Sequence, residues 1–161
     1  MERQPRSPSK RRTEPSPAAR ALRLLARREH TRLELARKLG PHFEDPAELQ
    51  ALLDDFTERG WLSEQRAVDQ LLNAKRDRFG AARIRQALLD RGVSEDLITP
   101  ALARLKESEL DVARMVWTKK FGTAPRTMAE RTRHVRFLQS RGFSLEVAMR
   151  VVRSVESGGD S

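Results

Sequence analysis

The sequence predicts an all-α protein, built as three tandem three-helix repeats in an elongated, curved array. Three observations carry this reading. Apolar residues return at helical spacing in short blocks closed by Gly or Pro. Aromatic residues make up 5%, there is no Tyr, and runs of β-branched residues are absent, which argues against a large sandwich or barrel. A turn-and-helix pattern also recurs fifty residues further along the chain.

In order, Ala21, Leu22, Leu24 and Leu25 mark a first helix over about 18–29. Thr31 with Glu34 is a capping box that opens a short helix through Leu39, which Gly40-Pro41 ends. Asp45-Pro46 supplies an N-cap and a proline in the first turn for the helix carrying Leu49, Leu52, Leu53 and Phe56. Ser63 caps a fourth helix that should reach Phe79-Gly80. Helices follow at about 81–91, 95–106, 109–120, 128–141 and 145–156, nine in all and no strand. Pro100 should kink the sixth or shift its start. Thr127 and Glu130 form a second capping box.

The helices repeat. Arg91-Gly92-Val93-Ser94 returns as Arg141-Gly142-Phe143-Ser144. The next helix matches in register, Leu97, Ile98, Ala101, Leu102 and Leu105 against Val147, Ala148, Val151, Val152 and Val155. Upstream, Arg78-Phe79-Gly80 matches Lys120-Phe121-Gly122 at an offset of 42, which leaves about eight extra residues around Thr123 to Glu130. A degenerate first copy aligns Leu49, Leu52, Leu53 and Phe56 with Ile98, Ala101, Leu102 and Leu105 at an offset of 49. The expected divisions are a basic, disordered tail over 1–17, repeats over 18–62, 63–107 and 108–156, and a flexible end over 157–161. A unit this small holds little core alone, so neighbours share apolar surface.

The 161 residues carry a net charge of +9, with 38% apolar and 34% charged residues. Charge alternates in blocks: +3 over 1–19, +5 over 20–38, −6 over 42–69, +4 over 71–91, −3 over 94–111 and +7 over 114–141. In repeat register the basic blocks fall on the first two helices of each unit, so stacking gathers them on one side. A polyanion is the natural partner of that side, because cations at phosphates release condensed counterions.

Chemistry of the catalytic kind finds little support. The absence of Cys excludes disulfides, thiol catalysis and cysteine-ligated metal. His30, His42 and His134 show no ligand spacing, and His134 occupies the repeat position of Ile84. Glu44-Asp45 and Asp54-Asp55 read as helix-start and solvent-face charges. Phosphate-binding glycine loops and nucleophile elbows are missing. The expectation is a non-enzyme without cofactor or metal, a cytoplasmic monomer with neither a secretory signal nor a membrane span. Trp61 should fill an apolar slot at a unit junction. Trp117 reads as a core residue, with stacking on a base or partner as the alternative.

The ordered set Arg78-Phe79-Gly80-x-x-Arg83-Ile84-Arg85-x-x-Leu88-x-x-Arg91-Gly92-Val93-Ser94, followed by Lys119-Lys120-Phe121-Gly122 and Phe137-Leu138-Gln139-Ser140-Arg141-Gly142-Phe143-Ser144, resembles the bacterial RecX family over about residues 18–156. The resemblance implies a modulator, mainly an inhibitor, of the RecA recombinase. Such a protein would lodge in the groove of the RecA filament on single-stranded DNA and bridge its protomers. It would suppress ATP hydrolysis, strand exchange and coprotease activity. No short family signature transfers residue by residue, so the candidate contacts with the RecA filament and DNA come from charge. They are Lys75, Arg76, Arg78, Arg83 and Arg85 in the middle unit, and Lys119, Lys120, Arg126, Arg131 and Arg133 in the last. Arg91 and Arg141 either join them or bind the last carbonyls of their own helices. The alternative function is a helical-repeat protein acting directly on single- or double-stranded DNA.

Overall fold

Side-chain caps explain where six of the nine helices among the described residues begin. The computed structural model describes residues 13–158. Its elements are α1 (Pro17–Arg27), α2 (Arg32–Leu39), a 3-10 turn (Gly40–His42), α3 (Pro46–Glu58), α4 (Glu64–Lys75), α5 (Ala81–Asp90), α6 (Glu95–Ala103), α7 (Glu109–Lys120), α8 (Met128–Ser140) and α9 (Leu145–Ser157). Ser16, Thr31, Asp45, Ser63, Thr127 and Ser144 each accept a backbone N–H from the first turn they precede. The Thr31–Glu34 box is complete in both directions.

The fold is all-α among the described residues, in three three-helix repeats. Every closely packed helix pair lies within α1–α3, α4–α6 or α7–α9. Buried side chains divide the same way. Ala21, Leu35, Leu39, Leu49, Leu53, Phe56 and Leu62 form one cluster. The second centres on Val68, Leu71, Ile84, Leu88 and Ile98, and the third on Ala113, Trp117, Leu138, Phe143, Val151 and Val152.

Units meet through the ends of their second helices. At the end of α8 the carbonyls of Arg141 and Gly142 accept the N–H groups of Gly80 (2.9 Å) and Ala82 (3.1 Å) at the start of α5. No side chain caps α5, so these bonds satisfy donors that a helix start otherwise leaves open. At the end of α5 the carbonyl of Arg91 accepts the Thr31 hydroxyl at the start of α2. The order α8, α5, α2 is therefore a head-to-tail string of helices. Gly142 has φ +94°, and a Cβ there would lie 2.5 Å from the Arg83 Cβ and 2.6 Å from its backbone nitrogen. This glycine supplies both the left-handed turn and the room for close approach.

Several expectations are corrected. α4 stops at Lys75, four residues before Phe79, because the chain turns there to fold Phe79 against the second core. α6 starts on schedule and accommodates Pro100, but ends at Ala103 rather than near residue 106. Trp61 fills no slot. It is 43% exposed, edge-on to Phe56 at 5.2 Å with the Arg59 guanidinium over its ring at 5.0 Å. α1 begins at Pro17, inside the segment expected to be a tail, because Ser16 caps it. The rest of that expected tail, residues 1–12, and the final residues 159–161 lie outside the described residues.

Candidate functional site

Three helix C-termini converge where the second unit meets the third. α4 and α7 finish in basic residues and Arg141 is the C-cap of α8, an arrangement that suits the unpaired carbonyls at helix ends. Around Phe79 gather Arg83 (4.5 Å from the ring centroid), Lys75 (5.1 Å), Arg78 (5.7 Å) and Arg141 (5.9 Å). Phe137 carries Arg141 at 5.2 Å and Lys120 at 5.6 Å. Each such contact contributes about 0.5–1 kcal/mol at an exposed site.

Beside the two rings runs a groove of about 490 Å³, lined by Asp77, Arg78, Met115, Val116, Lys119, Lys120, Phe137 and Arg141. Met115 is 66% exposed at its edge. Among the described residues, none of Lys75, Arg78, Arg83, Lys119, Lys120 and Arg141 forms an ion pair. Five like charges on these aromatic faces, with Lys119 beside them in the groove lining, repel one another, and an anion entering the groove relieves that repulsion. Chemically, the arrangement offers cations for an anionic group at its rim and Val116, Met115 and Phe137 for an apolar one.

The ten residues singled out by charge thus divide. Lys75, Arg78, Arg83, Lys119 and Lys120 come together here. Arg76 points into a different depression with Asp69, Asn73 and Arg104. Arg85 is ion-paired with Glu95, and Arg131 with Glu156 at 3.2 Å. Arg126 and Arg133 are exposed near the start of α8, where Glu130 accepts the Arg126 backbone N–H at 2.7 Å. Arg141, left open between two roles, belongs to the cluster through its stacking on both rings. Phe79 and Phe137 were missed as site residues. The repeated basic-Phe-Gly turn was the signal for Phe79.

His134 is a core group. It is 4% exposed, stacks on Phe121 at 3.7 Å, and its Nδ1 accepts the Trp117 indole N–H at 3.1 Å. That bond requires Nδ1 unprotonated. Burial, aided by the charge of Arg133, lowers its pKa below 6.5 against the opposing pull of Glu130 and Glu156. Trp117, 5% exposed, is a core residue. Among the described residues no group of three His, Asp or Glu could hold a metal ion, and no helix is long and apolar enough to cross a membrane.

A helical-repeat scaffold with a cationic, partly aromatic groove belongs to the class of three-helix-repeat proteins with an extended charged surface. Comparison with known proteins makes this specific. A family model of the third three-helix domain of RecX matches residues 107–152. The chain is 50% identical over 141 residues to the regulatory protein RecX of Leptothrix cholodnii, covering 88% of this chain and 90% of that protein. It is 41% identical over 139 residues to the RecX of Ralstonia nicotianae, covering 86% and 87%. The crystal structure of RecX from Lactobacillus salivarius has the same fold, with a TM-score of 0.75 at 13% identity, over 87% of this chain and 94% of that one. The chain belongs to the RecX family of regulatory proteins.

Proposed function

We propose that this protein regulates the RecA recombinase, mainly as an inhibitor, by lodging in the groove of the RecA filament on single-stranded DNA. It acts in the cytoplasm as a monomer and suppresses ATP hydrolysis, strand exchange and coprotease activity. The observation that carries the reading, beside family membership, is the cluster of five cations without ion pairs over Phe79 and Phe137, with Lys119 beside it, at the edge of a groove with Phe137, Val116 and Met115 in its lining. A filament groove presents protein and phosphate together, and a surface with both aromatic and cationic elements suits that mixture. Modest contacts along three connected units add through effective concentration, so no single residue need dominate.

The test is RecA ATP hydrolysis on excess single-stranded DNA, with this protein titrated in well below one per RecA at moderate salt. Strong inhibition is the expected result. Charge reversal of Arg78, Lys119 and Lys120 should shift the inhibitory midpoint about tenfold or more, a loss of about 1.4 kcal/mol or more of binding. Absence of inhibition, with salt-sensitive binding to naked DNA, would refute the regulator reading and leave a repeat protein that acts on DNA directly.

A further inference from the structure

The first unit carries a second cationic groove, built without aromatic residues. Arg20, Arg23 and Arg27 follow one another on α1 at spacings of three and four, which sets them on one helix face. With Lys38 from the end of α2 and His42 from the 3-10 turn they line a groove of about 420 Å³, whose apolar part is Pro15, Leu24 and Leu39. Among the described residues no carboxylate lines it. Among the described residues, the ion pairs of these cations amount to one rim contact, Glu14 at 3.9 Å from Arg20, with the Glu14 side chain 91% exposed. The twelve residues ahead of the described chain carry a net charge of +4, the wrong sign to fill it.

We infer that this groove binds the phosphodiester backbone of a nucleic-acid strand. Three features favour that occupant. From Arg20 to Arg27 the helix rises about 10 Å, long enough for its arginines to meet successive phosphates of one strand. Arginine's planar fork matches pairs of phosphate oxygens, and a row of arginines tracks a backbone regardless of base. A protein segment, by contrast, is held through apolar anchors in a pocket. The groove beside Phe137 and Met115 offers such a floor, and this one has no aromatic or methionine in its lining. The two grooves are thus complementary. One takes mixed protein and phosphate, and the other takes phosphate alone.

The experiment measures fluorescence anisotropy of a labelled oligothymidylate with the full chain, without RecA, across a salt series. Failure here therefore leaves the RecA reading standing. The variant Arg20→Gln, Arg23→Gln, Arg27→Gln should bind about tenfold or more weakly at about 0.1 M salt, and its log affinity against log salt should be shallower by about 2, given about 0.7 per phosphate contact. A control with equal charge loss elsewhere, Arg136→Gln, Arg150→Gln, Arg153→Gln, should keep the native slope. If the triple variant melts early by circular dichroism, Arg23→Gln alone, at an exposed position, should still lower the slope by about 0.7. An unchanged slope, or an equal loss in the control, overturns the inference. So does loss of polyglutamate binding with oligonucleotide binding intact, which would assign the groove to an acidic protein segment.

Discussion

The two joints between units use the same topology and different chemistry. Where α5 meets α2, side chains do the joining. The Thr31 hydroxyl reaches the Arg91 carbonyl, the Leu33 side chain lies against Gly92, and Glu34 sits between Arg28 (2.6 Å) and Arg91 (3.8 Å). Where α8 meets α5, backbone touches backbone. Gly80 and Gly142 approach so closely that a Cβ on Gly80 would lie 2.4 Å from the Gly142 carbonyl carbon. A joint made of side chains adapts to a substitution by rotating a torsion, whereas one made of two main chains has no torsion to spare. The tight joint is also the one beneath the cationic groove, so the positions of Arg83 and Arg141 depend on it directly.

That contrast is broken most severely at Gly142. Gly142→Ala should cost about 3 kcal/mol, because strain at positive φ adds to an overlap with the Arg83 main chain. Denaturant unfolding of the full chain checks it, with the third unit expected to separate from the rest. Gly92→Ala, at the equivalent place in the other joint, should cost less, about 2 kcal/mol: φ is again positive and Leu33 Cβ would lie 2.7 Å away, but Leu33 Cδ2 can rotate aside and no main-chain atom of the neighbour is overlapped. Equal losses would show that the two joints do not differ as described. Thr31→Ala removes a cap and the bond to Arg91, and should cost about 1 kcal/mol in the same assay.

Acid sharpens the comparison with smaller effects. Burial alone would raise the pKa of Glu34, but the hydrogen bond from Arg28 and the charges of Arg28 and Arg91 outweigh it and hold the group below 4.5. The folded pKa is the lower one, so this contribution is present above about pH 4.5 and fades as pH falls through the lowered value. Glu34→Gln should therefore flatten acid unfolding at the first joint and leave the second untouched. His30 and His134 act at higher pH. Burial lowers both below 6.5, with Arg28 and Lys38 adding at His30 against the Arg28 carbonyl and Glu34. The unfolded chain then binds more protons, and stability declines as pH drops below 6.5. His134→Ile, which restores the residue type of Ile84 at the matching repeat position, should remove the third unit's share of that decline in melting curves between pH 7 and 5.

The repeat and the caps were legible because both are local. Thr31 with Glu34 and Thr127 with Glu130 declare helix starts within four residues, and the fifty-residue echo of Arg91-Gly92 at Arg141-Gly142 declares the units. The site was half legible. Charge blocks pointed to Lys75, Arg78, Arg83, Lys119 and Lys120, but block charge does not reveal which cations are already neutralised. Arg131 finds Glu156 at the far end of α9, and Arg85 finds Glu95 across the turn into α6, pairings that only folded proximity creates. Trp61 shows the same blindness. Its size suggested burial, yet the φ +75° turn at Gly60 leaves the ring on the surface over Phe56. The purpose of Gly142 was half read, as a helix stop rather than as a seat for the preceding unit.

The end-to-end string of second helices also makes its two outer ends unlike its inner joints. α5 has no cap of its own and borrows carbonyls from the unit that follows. Among the described residues no helix end meets the start of α8, which is closed locally: the Thr127 hydroxyl accepts the Glu130 N–H and the Glu130 carboxylate accepts the Arg126 N–H, within the longer turn after Lys120. At the opposite end α2 runs into the 3-10 turn at Gly40–His42, without the positive-φ glycine that seats a neighbour. The eight additional residues of the last turn thus close locally a helix start that α5 leaves to a neighbour. Lengthening such a chain by duplication would succeed by splicing a copy between existing units and fail by appending one at either end.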